Sequence, residues 1–301
     1  MQYFNRKISG LVLAFTFALG INVSGAAIAA DAITLTHVHG LSYSADGAKL
    51  MIPSHHGLAV YETAGKGRRS KADGPSHDYM GFSATREALY SSGHPAPGSG
   101  LTNPFGLIKS IDGGNTWRKL GLEGESDFHL LATSYAGNAV YVYNHRANSR
   151  MSGPGLYHTE TDGLKWTRAA AKGLGGEIVS LAVHPRDVRV VAAGTADGLY
   201  LSRDAAESFE RIAAGAQFLG VAFDLDEKHI WYSSYAGKAA LARMALGSGA
   251  KAQWFAIPEL VDDAIAYITQ NPARRDRDRQ LQAQRVPEPG RGAHLEVDCP
   301  E

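Results

Sequence analysis

The chain has 301 residues, in which 30 lysines and arginines balance 30 aspartates and glutamates, and 44% of the residues are hydrophobic. This composition can build a large core and excludes a chain that is disordered throughout. The balanced charge gives no electrostatic basis for binding nucleic acid or an anionic membrane. The single cysteine excludes an intrachain disulfide framework and any Cys-x-x-Cys redox or zinc site. The 34 glycines favour many tight turns over long helices.

The first 30 residues have the pattern of a secretory signal peptide. Arg6 and Lys7 precede an apolar run from Ile8 to about Val23, and small residues follow it as far as Ala30. A membrane anchor is the alternative, but the apolar run is short for a span and ends in small residues. We therefore expect residues 1–30 to be removed on export, which leaves a periplasmic or secreted protein with no stable membrane span.

A repeat recurs through the middle of the chain. Gly-Leu pairs begin at residues 57, 106, 155 and 198. The second pair leads into a full match to the pattern S-x-D-x-G-x-T-W, formed by Ser110, Asp112, Gly114, Thr116 and Trp117. Degraded copies of the pattern occupy residues 159–166 and 202–209. Three copies in one register, separated by short runs rich in β-branched and aromatic residues, indicate a repeat protein made of strands.

These motifs resemble the Asp-box, or BNR, repeats of secreted bacterial β-propellers of the sialidase- and sortilin-like kind, a group known as glycosyl hydrolase-like. The resemblance covers about residues 34–270 and implies an all-β propeller in which each Asp box turns the chain between the third and fourth strands of a blade. In such a turn Asp112 accepts backbone hydrogen bonds, Gly114 takes a positive φ, and Trp117 packs between blades. The Asp box is thus expected to be structural, not catalytic.

Alignment of the first strands predicts a six-bladed β-propeller over residues 31–270. The six units begin near His37, Asp78, Asp127, Glu177, Gln217 and Asp262. The sixth unit lacks the Asp box expected near residues 285–295, so the last blade is incomplete. Residues 271–301 are rich in arginine and acidic residues and predict a polar, disordered tail. We interpret this tail as the product of a frameshifted or truncated gene end, with closure of the ring by a different strand as the alternative.

Histidines converge on one mouth of the predicted channel. The start of a blade's first strand and the end of its second strand open on the same face, opposite the Asp-box turns. Nine of the 12 histidines lie between residues 37 and 158, which is within the first units of the repeat. The predicted metal ligands are His39, His55, His56, Met80, His94 and His129, with Asp78 and Asp127 in support.

Imidazole and carboxylate suit zinc or copper(II), whereas a thioether favours copper(I). The sequence therefore predicts a copper or zinc site in an exported binding protein. The alternative is that these histidines only hydrogen-bond to neighbouring loops and that Met80 fills the core.

Two further functions stay open. The sialidase-like propellers that this chain resembles hold a substrate carboxylate with three arginines, but residues 31–67 contain no arginine. A two-carboxylate glycoside hydrolase would instead use Asp78 and Asp127 as catalytic residues. The other alternative is a non-catalytic propeller that binds a protein or a small glycan through the long loops at residues 95–105 and 146–154.

Overall fold

The computed structural model describes residues 35–63, 69–71, 73–261 and 263–274. Five four-stranded antiparallel sheets follow one another along the chain, and each is built from consecutive strands. Blade one contains β1 (Ser42–Tyr43), β2 (Lys49–Ser54), β3 (Gly57–Glu62) and β4 (Arg69–Lys71); blade two contains β5 (Asp78–Ala84), β6 (Leu89–His94), β7 (Leu107–Ser110) and β8 (Arg118–Gly121). Blade three contains β9 (Leu131–Thr133), β10 (Val140–Asn144), β11 (Gly155–Thr159) and β12 (Thr167–Arg168). Blade four contains β13 (Ile178–Val183), β14 (Val191–Thr195), β15 (Gly198–Ser202) and β16 (Glu210–Ala214), and blade five contains β17 (Gln217–Phe223), β18 (His229–Tyr235), β19 (Ala239–Ala245) and β20 (Gln253–Phe255).

The first strands of neighbouring blades contact each other around a central channel, so the sheets form a β-propeller. The middle strands of each blade carry apolar residues on both faces and pack against the neighbouring blades. β14 and β15 are buried along their whole length, whereas the outer strand β16 is largely exposed. One core cluster joins Leu199 and Leu201 of blade four to Ile230 and Tyr232 of blade five. The core is therefore a series of blade-to-blade interfaces.

The segment with the full sequence motif forms the turn between β7 and β8. The Ser110 hydroxyl accepts a hydrogen bond from the Gly114 amide at 2.9 Å, and Asp112 Oδ1 accepts one from the Thr116 amide at 2.9 Å. Gly114 has φ = 91°, which a residue with a side chain rarely adopts. The Trp117 indole N–H donates back to the Gly114 carbonyl at 3.0 Å and so fixes the end of the turn.

The two degraded copies of the motif form the same hydrogen-bonded turn. Between β15 and β16, Asp204 Oδ1 accepts the Ser208 amide at 2.9 Å. Between β11 and β12, Thr161 stands in the aspartate position, and its hydroxyl accepts the Lys165 amide at 3.0 Å. A single acceptor oxygen at this position is therefore enough to close the turn, and the carboxylate is not essential to it.

The prediction of six blades is wrong, because the described residues form five. Residues 263–271, here called the closing segment, lie between blade five and blade one, where a sixth first strand would lie. Ser233 of β18 donates to the Ile265 carbonyl at 2.6 Å, and the Tyr267 hydroxyl donates to the Val38 carbonyl at 3.2 Å. Pro272 follows this segment directly, and proline cannot donate the backbone hydrogen bond that a paired strand requires.

A short 3₁₀ helix over Pro272–Arg274 ends the described part of the chain. No helix among the described residues is long and apolar enough to cross a membrane. The predicted signal peptide and the tail beyond residue 274 lie outside the described residues, so both stay predictions.

Candidate metal centre

Two histidines of blade one meet an aspartate of blade two at one mouth of the channel. Asp78 is the first residue of β5, His55 lies in the turn after β2, and His39 precedes β1. His55 Nδ1 is 2.5 Å from Asp78 Oδ2, and His39 Nε2 is 3.9 Å from Asp78 Oδ1. The two imidazoles pack edge to face with their centroids 5.0 Å apart. We call this trio the first group.

The ligand atoms of the first group converge, and two of its side-chain atoms have no hydrogen-bond partner among the described residues. One ligand atom from each of the three side chains lies within 4.8 Å of the others. His39 Nε2 and Asp78 Oδ1 are buried and have no hydrogen-bond partner in the described structure. Burial, and then the neighbouring His55, lower the pKa of His39 to about 4 against the opposing effect of Asp78. His39 is therefore neutral at physiological pH, which leaves it able to bind a cation.

A second group is built around Asp127, which lies just before β9 of blade three. Its Oδ2 atom is 2.8 Å from His129 Nε2 and 3.2 Å from His94 Nε2, while its Oδ1 atom is buried without a partner among the described residues. Burial raises the pKa of Asp127, but its hydrogen bonds to the two histidines and their charges outweigh this and lower the pKa overall. The hydrogen bond between Asp127 and His129 raises the pKa of His129.

The two groups border one channel. First strands of all five blades and the closing segment line a central cavity of about 240 Å³, and both His39 and His129 lie on its wall. The charge of His129 acts on His39, and the charge of Asp78 acts on His129, so the groups are electrostatically coupled. A cation bound at either group would therefore be exposed to the channel.

His56 and Met80, both predicted as ligands, lie outside these two groups. His56 is exposed in the turn between β2 and β3, next to His55. Met80 is buried on β5, with its Cγ 3.1 Å from where a Cβ on Gly93 would lie. The predicted ligand set also leaves out two residues that contact the groups. The His37 ring packs edge-on against His55 at 4.7 Å, and Asn103 Oδ1 is 2.6 Å from His94 Nδ1.

The signals for the two missed residues differ. His37 belongs to the same strand-start pattern that identified His39. Asn103 lies in the long loop after β6, and no sequence periodicity marks it, because its position depends on how that loop folds back over His94.

Of the other described histidines, His77 and His184 are hydrogen-bonded within the fold, whereas His158 Nδ1 is buried without a hydrogen-bond partner among the described residues. His77 accepts the Ala96 amide at 2.9 Å and is buried. A third cluster of possible ligands, formed by Asp224, Asp226 and His229, lies on blade five. The guanidinium of Arg243 pairs with both of its aspartates at 2.7 Å. A side-chain cation thus already neutralises this cluster, in contrast to the two groups at the channel mouth.

Comparisons with known proteins identify the fold and nothing finer. No protein-family model matches the chain, and no curated protein matches it. Among solved structures, a GH74 enzyme from Niastella koreensis matches 72% of this chain with a TM-score of 0.53 and 15% identity, and this chain spans 36% of it. A putative TolB from Agrobacterium tumefaciens matches 72% of this chain and 79% of its own, with a TM-score of 0.53 and 16% identity. The nidogen/laminin complex matches 73% of this chain and 80% of its own, with a TM-score of 0.54 and 12% identity.

At these identities the likeness shows the fold alone. The chain is thus an all-β propeller, and its function has to be argued from its own site.

Proposed function

We propose that this chain is a metal-binding β-propeller that holds a copper or zinc ion at its channel mouth with His39, His55 and Asp78. The proposal is carried by two observations: one ligand atom from each of the three side chains lies within 4.8 Å of the others, and His39 Nε2 and Asp78 Oδ1 are buried without a partner among the described residues. Burying such atoms without a hydrogen bond destabilises a fold by about 1–3 kcal/mol each. A bound cation would remove this penalty.

The ligand chemistry narrows the choice of ion. Two imidazoles and one carboxylate form a nitrogen- and oxygen-donor set, which suits zinc and copper(II). The first group contains no sulfur ligand, which removes the main reason for expecting copper(I). Because His39 has its pKa lowered to about 4, little proton competition at this ligand opposes binding near neutral pH.

The proposal includes a periplasmic or secreted location and membership of the Asp-box propeller family. The signal-peptide pattern of residues 1–30 supports a periplasmic or secreted protein. The shared turn geometry at residues 110–117, 159–166 and 202–209 supports membership among the Asp-box propellers. Neither point is needed for the metal site, which rests on its geometry.

The test is metal binding by the full chain, purified without an affinity tag and stripped of metal. We expect the wild-type protein to bind at least one equivalent of zinc or copper(II) by calorimetry and by elemental analysis after dialysis. His39→Ala and His55→Ala should each weaken this site by at least about 10–100-fold. His56→Ala is the matched control, because His56 is adjacent in sequence but outside the group. Absence of binding to wild type, or equal loss in His56→Ala, would reject the proposal.

The glycoside hydrolase alternative has less support from the site. A glycosidase general acid needs a raised pKa, whereas the pKa of Asp127 is lowered and Asp78 is bonded to His55. Turnover of a glycoside panel that is lost on Asp78→Asn or Asp127→Asn would revive this alternative. A non-catalytic propeller that binds a protein or a small glycan is compatible with the fold, and it would not require metal.

A further inference from the structure

The first group supplies three protein ligands, which is fewer than a zinc or copper(II) ion coordinates. The converging atoms come from His39, His55 and Asp78, and no other His, Cys, Asp or Glu side chain of the described residues adds a ligand atom to this set. Zinc sites with three protein ligands keep the fourth position for water or another molecule. An ion held by the first group would therefore have a coordination position open to a ligand from outside the protein.

The first group lies beside the central cavity of about 240 Å³. His39 is part of the cavity wall, whereas neither His55 nor Asp78 is. An ion bound by all three side chains would therefore lie at the end of the cavity next to the channel mouth. A ligand that reaches the ion from the cavity side has to fit this volume, so it is a small molecule.

The wall of the cavity is mainly apolar. Val179 of β13, Val221 of β17 and Ile268 of the closing segment contribute to it. None of the described residues on this wall is a lysine, arginine, aspartate or glutamate. Val179 is 38% exposed, which leaves apolar surface available for contact. The cavity therefore suits the apolar part of a ligand, and its wall has no permanently charged side chain to pair with a second charge on that ligand.

We propose that the cavity binds a short-chain carboxylate, one oxygen of which completes the coordination of the ion at the first group. This inference rests on the proposed function, because the ion anchors the carboxylate. Imidazoles bind metals in their neutral form, so two imidazoles and one aspartate leave a divalent ion with a formal charge of +1. That charge attracts a monoanion. The alkyl chain of the ligand would lie against Val179 and Val221, and the ion would be a cofactor for small-molecule binding.

The test is calorimetric titration of acetate and butyrate into the full chain after it has been stripped of metal and reloaded with zinc. Butyrate should bind about 15-fold more tightly than acetate, because two further methylene groups leave water and each strengthens binding about fourfold. Glycerol is the uncharged control probe and should not bind. In the cobalt(II)-loaded chain, butyrate should also change the visible absorption, since its oxygen enters the coordination of the ion.

Val179→Trp locates the ligand within the cavity. The larger side chain should abolish butyrate binding and leave zinc binding unchanged, because Val179 is not a metal ligand. Val179→Thr is the matched control, since it nearly keeps the shape of valine and leaves the cavity open. Near-UV circular dichroism checks the fold of both variants. The cobalt(II) spectrum of the wild-type chain needs no variant, so it tests the proposal even if Val179→Trp does not fold.

The outcomes separate the two proposals. A chain that binds zinc but neither acetate nor butyrate would overturn this inference and leave the proposed function intact, because water alone would complete the coordination. Equal butyrate binding with and without metal, or undiminished binding in folded Val179→Trp, would also overturn it. No bound zinc or copper in the wild-type chain would reject the proposed function itself.

Discussion

Replacement of Asp112 by asparagine tests the electrostatic part of the turn between β7 and β8. The Asp112 carboxylate accepts hydrogen bonds from the Thr116 amide, the Thr116 hydroxyl and the Ser110 hydroxyl at 2.6–3.1 Å. These hydrogen bonds, those of Thr116 first, lower the pKa of Asp112 from 3.8 to about 2. A shift of this size corresponds to about 2.4 kcal/mol. Because the side chain is exposed, solvent screening reduces the expected loss on Asp112→Asn to about 1 kcal/mol.

The sign of the pH dependence follows from the lowered pKa. A carboxyl that is more acidic in the folded state stabilises the fold above its unfolded pKa, and this contribution is lost as the pH falls through the folded pKa. The difference in the free energy of unfolding between wild type and Asp112→Asn should therefore reach its maximum above about pH 5. It should fall to about half of that maximum at about pH 3 and to a small fraction of it at about pH 2.

Urea denaturation at pH 6 and pH 3 measures this difference. Asp112→Thr copies the natural arrangement at Thr161, so it should retain the Thr116 amide bond and show no such pH dependence. Glu87→Gln is the control, because Glu87 is an exposed carboxylate near the same turn and makes no side-chain hydrogen bond in the described structure. If Asp112→Asn lowers the free energy of unfolding equally at both pH values, the charge-based reasoning is refuted.

Two further predictions concern buried hydroxyls. Ser92 Oγ accepts a hydrogen bond from the Phe128 amide at 2.9 Å, so Ser92→Ala leaves a buried N–H unpaired. The free energy of unfolding should fall by about 1–3 kcal/mol. A decrease of less than about 0.5 kcal/mol in urea denaturation would contradict this. Ser233 Oγ donates to the Ile265 carbonyl, so Ser233→Ala should loosen the closing segment. Faster amide hydrogen exchange in that segment is the expected result, together with faster exchange at Gly220, whose N–H donates to Ser233 Oγ at 2.8 Å. Unchanged exchange in the closing segment would argue against the contact.

The blade strands could be predicted from sequence because turn motifs and short apolar runs repeat at a regular interval. The number of blades could not, because a strand-like first segment at residues 263–271 contains no information about whether partner strands follow. Its position depends on contacts such as that of Tyr267 with Val38, which only the closed ring creates.

The candidate site was predictable in part for a similar reason. The direction of each strand places the histidines near the starts of the first strands and the ends of the second strands of blades one to three at one mouth of the channel. The sequence does not predict that these histidines form two groups, because this depends on which aspartate each imidazole ring contacts. His55 and His56 are chain neighbours, yet the conformation of one turn directs only His55 towards Asp78.

The closing segment has a consequence for the order of folding. Tyr267 bonds to Val38 across 229 residues of chain, whereas His55 bonds to Asp78 across 23. The entropy of loop closure grows with the logarithm of this separation, and it is about 2 kcal/mol larger for the longer loop. Blades one to three can therefore assemble, and bring their histidines and aspartates together, before the ring is joined. A cation that meets these ligands early would stabilise the pairing of those blades and so guide the later joining of the ring.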